Sequence, residues 1–131
     1  MTLTETLTLG NGTWLSSPMT ASSGSLTIGS SGNWPTSPTT QFRVLVDQEI
    51  VVLQGGPFPT YTVVSRASDG TTAAAHNGSG LAGAAVAEVL TPTGLTNIIV
   101  QLVGSSVLNP VDTVSPLLAL IFIALQKLNQ T

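Results

Sequence analysis

Hydrophobic and polar residues alternate strictly over the first stretch of the chain, TLTETLTLG, which sets Leu3, Leu7 and Leu9 on one face with Glu5 between them. A period of two marks a half-buried β-strand, and the turn cluster GNG ends it. A second alternating run, SLTIG, places Leu26 and Ile28 on one face. From residue 29 to 40 the pattern lapses into GSSGNWPTSPTT, where Trp34, preceding Pro35, is expected to be extended. The strongest strand pair follows in FRVLVDQEIVVLQ: Phe42, Val44 and Val46 share a face, and the apolar run resumes at Ile50. Asp47 and Gln48 are expected to form a two-residue hairpin turn, with Glu49 at its exit. QGGPFPT then reads as loop, YTVVSRA as strand, SDGTTAAAHNGSG as a long loop and GAAVAEVLT as strand.

Residues 1–91 therefore predict a mainly β domain, a small antiparallel β-barrel or sandwich of about 5–7 strands. After Pro92 the texture changes, and 92–131 is expected to be a C-terminal segment for oligomerisation or for packing on the β-domain. Its first part, TNIIVQLVGSSV, has ambiguous periodicity; residues 96–103 read first as a strand, with helix left open. Ser115 as N-cap and Pro116 at the first helical position predict an α-helix over 115–129. There Leu118, Ile121, Leu125 and Leu128 form an a/d seam, a pattern that favours trimers or tetramers over dimers. Leu117, Leu120, Phe122 and Ile123 lie off the seam, so this helix must be buried on several sides. The expected state is a homo-oligomer, above all a homotrimer.

Composition sharpens this picture. Only 7% of residues are charged, against about a quarter in ordinary soluble domains, and Thr, Ser, Gly and Asn have taken their place. Such residues suit pleats and tight corners. They leave the surface poorly protected against association, so much of it is expected to contact other protein. The cations Arg43, Arg66 and Lys127 are scattered, and no nucleic-acid partner is expected. The longest apolar run, PLLALIFIAL, is far short of the roughly 20 residues that cross a bilayer. No secretory signal and no membrane partner are expected. The chain has no cysteine, which excludes disulfides and thiol chemistry.

Candidate chemistry centres on His76, the only histidine. A hydrolase would need it beside a nucleophile and a carboxylate, yet no GxSxG elbow occurs. Asp47 and Glu49 could act as paired carboxylates on a sugar; turn formation suits Asp47 better, and Glu49 is expected to pair across the hairpin or with Arg66. A metal site would need more ligands than one histidine and six scattered carboxylates readily supply. Trp14, Trp34 and Tyr61 could form a glycan-binding platform, but their neighbours are those of core corners. No catalytic residue, metal or cofactor is expected.

The span from Phe42 to Leu90 resembles a β-module that recurs in tail and other virion structural proteins of double-stranded DNA bacteriophages. The motifs that carry the resemblance are FRVLVDQEI, TYTVVSRASDGTTAAAHNGSG and AAVAEVLT, in that order and at matching intervals. Upstream, SGSLTIGSSGNWPTSPTTQ is similar to the module's lead-in. One departure is VVSRAS, where members of that family often carry VxRG and then an acidic residue. The resemblance assigns Arg66, Thr71, Thr72 and His76 to a structural loop motif, in which His76 and the threonines would bond loop backbone groups. It implies a virion protein assembled in the bacterial host cytoplasm. Combined with the small size and low charge, it points first to a capsid decoration (cement) protein, whose partners are its own copies and the major capsid protein. A tail fibre, baseplate or other tail component, partnered by tail proteins, is the alternative, and a host-glycan-binding module the second.

The seam yields a direct expectation. Ile121→Asp should reduce the mass of the recombinant protein in light scattering to that of a monomer, and an unchanged mass would reject the helical bundle.

Overall fold

A computed structural model describes residues 3–8, 12–30, 33–78 and 83–106. The helix expected over 115–129, with Leu118, Ile121, Leu125 and Leu128, lies outside the described residues. The chain divides into two units, Met1–Val89 and Leu90–Thr131.

The first unit is a curled, almost wholly antiparallel sheet: β1 (Thr4–Glu5), β2 (Thr13–Trp14), β3 (Ser25–Thr27), β4 (Thr40–Val46), β5 (Glu49–Gln54), β6 (Thr60–Ser68) and β7 (Ala85–Glu88). Strand order is β2-β7-β4-β5-β6-β3. The two outermost strands meet where Leu15 bridges Ile28, with the amide of Ser16 donating to Thr27 and that of Gly29 to Trp14. That contact draws the two edges of the curled sheet together, in keeping with the small β-barrel or sandwich that the alternation predicts. β1 is the exception, pairing in parallel with the start of β4 on the edge that β7 uses further along.

The inward positions form one core: Leu15, Met19, Leu26, Ile28, Trp34, Phe42, Val44, Val46, Val51, Leu53, Tyr61 and Val86. Phe42, Val44 and Val46 alternate along β4 and face Leu53, Val51 and Glu49 across the hairpin. Trp34, Phe42 and Tyr61 stack at tilted and edge-on angles with ring centroids 5.6–6.3 Å apart. Of the three rings considered for a glycan platform, Trp34 and Tyr61 are thus core residues. The first strand is shorter than its alternation predicts, and its buried side chain is Glu5 rather than a leucine.

Asp47 and Gln48 make the two-residue turn between β4 and β5. Asp47 takes φ 54° and Gln48 stays out of the left-handed region, the pattern of a hairpin whose first turn residue alone is left-handed. A larger irregularity lies in β6. While β5 runs from Leu53 back to Ile50, β6 runs from Val63 to Ser68, so β6 carries two surplus residues as bulges. Within them Ala67 adopts φ 52°, a conformation that glycine takes without penalty.

The second unit contains α1 (Pro92–Ser106). It includes 96–103, the stretch left open between strand and helix, which is thus helical. Thr91 caps the helix, its Oγ1 accepting from the amide of Gly94 and its carbonyl from that of Leu95. Pro92 sits at the first helical position, where a missing N–H costs nothing. Leu95, Ile98, Ile99 and Leu102 recur at helical spacing. The β-branched run Ile98–Val100 obscured that spacing, since such residues favour strands intrinsically but are tolerated in a capped helix. Among the described residues no helix is long and apolar enough to cross a membrane.

Replacing Ala67 by glycine should raise stability. The left-handed conformation costs a residue with a Cβ about 1–2 kcal/mol, of which the extra freedom of unfolded glycine takes back about 0.5–1. Chemical denaturation should show a net gain of about 0.5–1 kcal/mol, and a loss would mean that the methyl group is needed for packing.

Candidate functional site

The residues singled out by sequence converge at one end of the barrel, and Glu49 is their centre. As the first residue of β5 it points inward in phase with Val51 and Leu53, and its side chain is 1% exposed. Five donors meet its two oxygens. Oε1 accepts from Arg66 Nε at 2.7 Å and from the Ala67 amide at 3.0 Å. Oε2 accepts from Arg66 Nη2 at 2.9 Å and the Ala74 amide at 3.2 Å, and lies 2.7 Å from His76 Nε2. The expected pairing of Glu49 with Arg66 is therefore present, and the β6 bulges explain it: they turn both Arg66 and the amide of Ala67 onto the carboxylate.

Arg66 uses every N–H it has. Beyond Glu49, its Nη2 donates to the carbonyl of Ala74 at 2.9 Å, and its Nη1 to those of Thr20 at 2.8 Å and Ser23 at 3.4 Å. One planar guanidinium thus ties β5, the loop after β6 and the loop before β3 together. His76 is the second tie. Its ring is buried, with Nδ1 2.8 Å from Asp47 Oδ2 and Nε2 on Glu49. Each nitrogen faces a carboxylate. Its backbone exchanges two hydrogen bonds with Met19. Just beyond, Gly78 passes so close to Ser17 and Pro18 that a Cβ would run into the Ser17 carbonyl.

The division of labour differs from the sequence expectation. His76 bonds carboxylates rather than loop backbone; the loop backbone is bonded by Glu49 and Arg66. Thr71 does act on backbone, accepting from the Ile50 amide and donating to the Ser68 carbonyl. Thr72 is exposed and has no hydrogen-bond partner among the described residues, so it stands outside the cluster. Gln48 is an exposed turn residue. Asp47, besides forming the turn, holds His76 from its rim, with 53% of its side chain exposed.

A second ionic cluster escaped sequence reasoning. Arg43, on the outer face of β4 yet buried, bonds Asp69 at 2.8 Å and Glu5 at 3.3 Å, and Gln41 also donates to Glu5. The signal was a charge in mid-strand, at Arg43 and at Glu5, where the alternation called for a solvated or an apolar side chain. Glu88 accepts from the amide and hydroxyl of Thr8.

Comparison with known protein families, curated proteins and solved structures finds no match to this chain.

Burial works against the charge of Glu49, but Arg66, His76 and the amides of Ala67 and Ala74 outweigh it, lowering the pKa from 4.5 to about 2. The carboxylate is thus held ionised and saturated with donors. Such a group is suited to fastening loops; a general base needs a free lone pair aimed at a substrate. Among the described residues no group of three or more His, Asp or Glu side chains could hold a metal ion. Beside the cluster lies an open cleft of about 570 Å³ lined by Asp47, Gln48, Thr71, Thr72, Ala75 and His76, among others.

Because the folded-state pKa of Glu49 is depressed, its contribution to stability is complete above pH 4.5 and is lost as pH falls towards 2. The shift corresponds to about 3 kcal/mol. Carboxyl-carbon NMR of the folded protein should place the midpoint of Glu49 near pH 2, accompanied by a fall in unfolding free energy over that interval. A midpoint near 4.5 would show that the carboxylate is not held by its five donors.

Proposed function

We propose that the protein is a structural component of a double-stranded DNA bacteriophage virion, acting by protein–protein contact, and that it serves as a decoration (cement) protein of the capsid. One observation carries this reading. Glu49, Arg66 and His76, polar residues of the stretch that resembles the virion module, gather into one network that holds the backbone at Ala74 and His76 against the barrel end, with Thr71 bonded to backbone beside it. A shared structural task for Arg66 and His76 supports the reading of this stretch as a building module.

The distribution of charge supports the same reading. The charged side chains of the first unit are committed to its own contacts: one network at the barrel end, another joining Glu5, Arg43 and Asp69, and Glu88 bonded to Thr8. The remaining surface is largely neutral Ser, Thr, Gly and Ala, which carries little electrostatic protection against association. A tail or baseplate location is the second reading, favoured by the module's more frequent occurrence in tail proteins.

Quantitative densitometry of purified virions tests both. Because closed symmetric heads repeat their parts many times, a decoration protein should be present on the order of hundreds of copies, and a tail component on the order of tens. Absence of the polypeptide from purified virions would overturn the proposal.

A further inference from the structure

Among the described residues, the loop that carries His76 has a free edge. Between Thr71 and His76 the chain neither turns nor bends. Along such a stretch the backbone groups of successive residues point to opposite sides. Ala74 turns its amide to Glu49 and its carbonyl to Arg66, and His76 pairs with Met19. The amides and carbonyls of Ala73 and Ala75 consequently face the other way, and none of the four has a partner among the described residues. Unpaired backbone groups in a row are a template for an added strand.

Two features show what kind of strand. The side chains along this edge are methyl groups, which let another backbone approach closely, and Ala75 and the unbonded Thr72 border the cleft of about 570 Å³. The exposed charge at that cleft is the half-exposed carboxylate of Asp47, while the guanidinium of Arg66 is turned inward and committed to Glu49 and to backbone carbonyls. An incoming segment therefore meets a negative rim, a complement for lysine or arginine.

We propose that the Ala73–Ala75 edge and the adjoining cleft form a docking site for an extended, basic segment of a partner protein, which adds as a β-strand and sets a cationic side chain on Asp47. The proposal deepens the contact role given above. It is tested on the isolated polypeptide, so its failure is distinct from a failure to find the protein in virions.

The probe is a blocked heptapeptide of alternating valine and threonine with one central arginine, titrated into isotope-labelled protein and followed by amide NMR. The amides of Thr72, Ala73 and Ala75 should shift saturably. The same peptide with glutamate in place of arginine should bind at least about tenfold more weakly, the worth of one charge-assisted contact. Asp47→Asn should weaken the arginine peptide by about tenfold as well; asparagine tolerates the positive φ and can still accept from His76, so the fold should persist. Ala75→Pro, which removes one free amide, should weaken both peptides. Absence of saturable shifts at millimolar peptide, shifts confined to other surfaces, or equal affinity for the two peptides would each overturn the proposal.

Discussion

A carboxylate withdrawn from water at the end of a small barrel governs the rest of this structure. Burying an ionised group costs several kcal/mol unless fixed dipoles and charges replace its hydration. For Glu49 the replacement is complete, with five donors on two oxygens. Each donor imposes a condition on the chain. The Ala67 amide reaches Glu49 from within the bulged part of β6, with Ala67 at positive φ; the Ala74 amide requires the loop to pass directly over the barrel end; His76 brings Met19 and the loop before β3 with it. Irregularities that would look like defects one at a time are jointly required by one group.

The same network explains how a chain so poor in charge uses the little it has. The ionic side chains of the β-unit act within it, where weak screening makes a buried contact stronger than one on the surface. Arg66 does the work that several loop-to-loop hydrogen bonds would otherwise do, and Arg43 anchors the two-residue strand β1 through Glu5. What is left outside is neutral and rich in small hydroxyl side chains. Such an exterior is consistent with the proposed contact role, and the edge at Ala73 and Ala75, unpaired among the described residues, is where the proposed strand would add.

Parts of the candidate site were legible because local rules wrote them. Asp47-Gln48 between two apolar runs specifies a tight hairpin, and Glu49 at its exit follows. The partnership of Glu49 with Arg66 was open to inference from the scarcity of cations. The roles of His76 and Thr72 were not, because which loop residue turns inward depends on where the sheet it covers ends. The burial of Glu5 and Arg43 was hidden for a related reason: alternation assigns a face, but only the neighbouring strand decides whether that face is covered. In α1 the opposite happened, as a cap and helical spacing were both present at Thr91 and Pro92 while β-branched side chains drew attention to the wrong period.

The pattern along the chain was enough to place β3 to β7, the inner face of β4 and the hairpin, because a period of two and the conformational freedom of turn residues act over a few bonds. Tertiary structure alone decided the closure of Leu15 on Ile28, the passage of Gly78 beside Ser17, and the meeting of Glu49, Arg66 and His76 from three separate stretches of chain. Those contacts depend on register, bulges and the curl of the whole sheet, and a hydrogen bond between residues 17 or 27 positions apart leaves no mark on the residues in between.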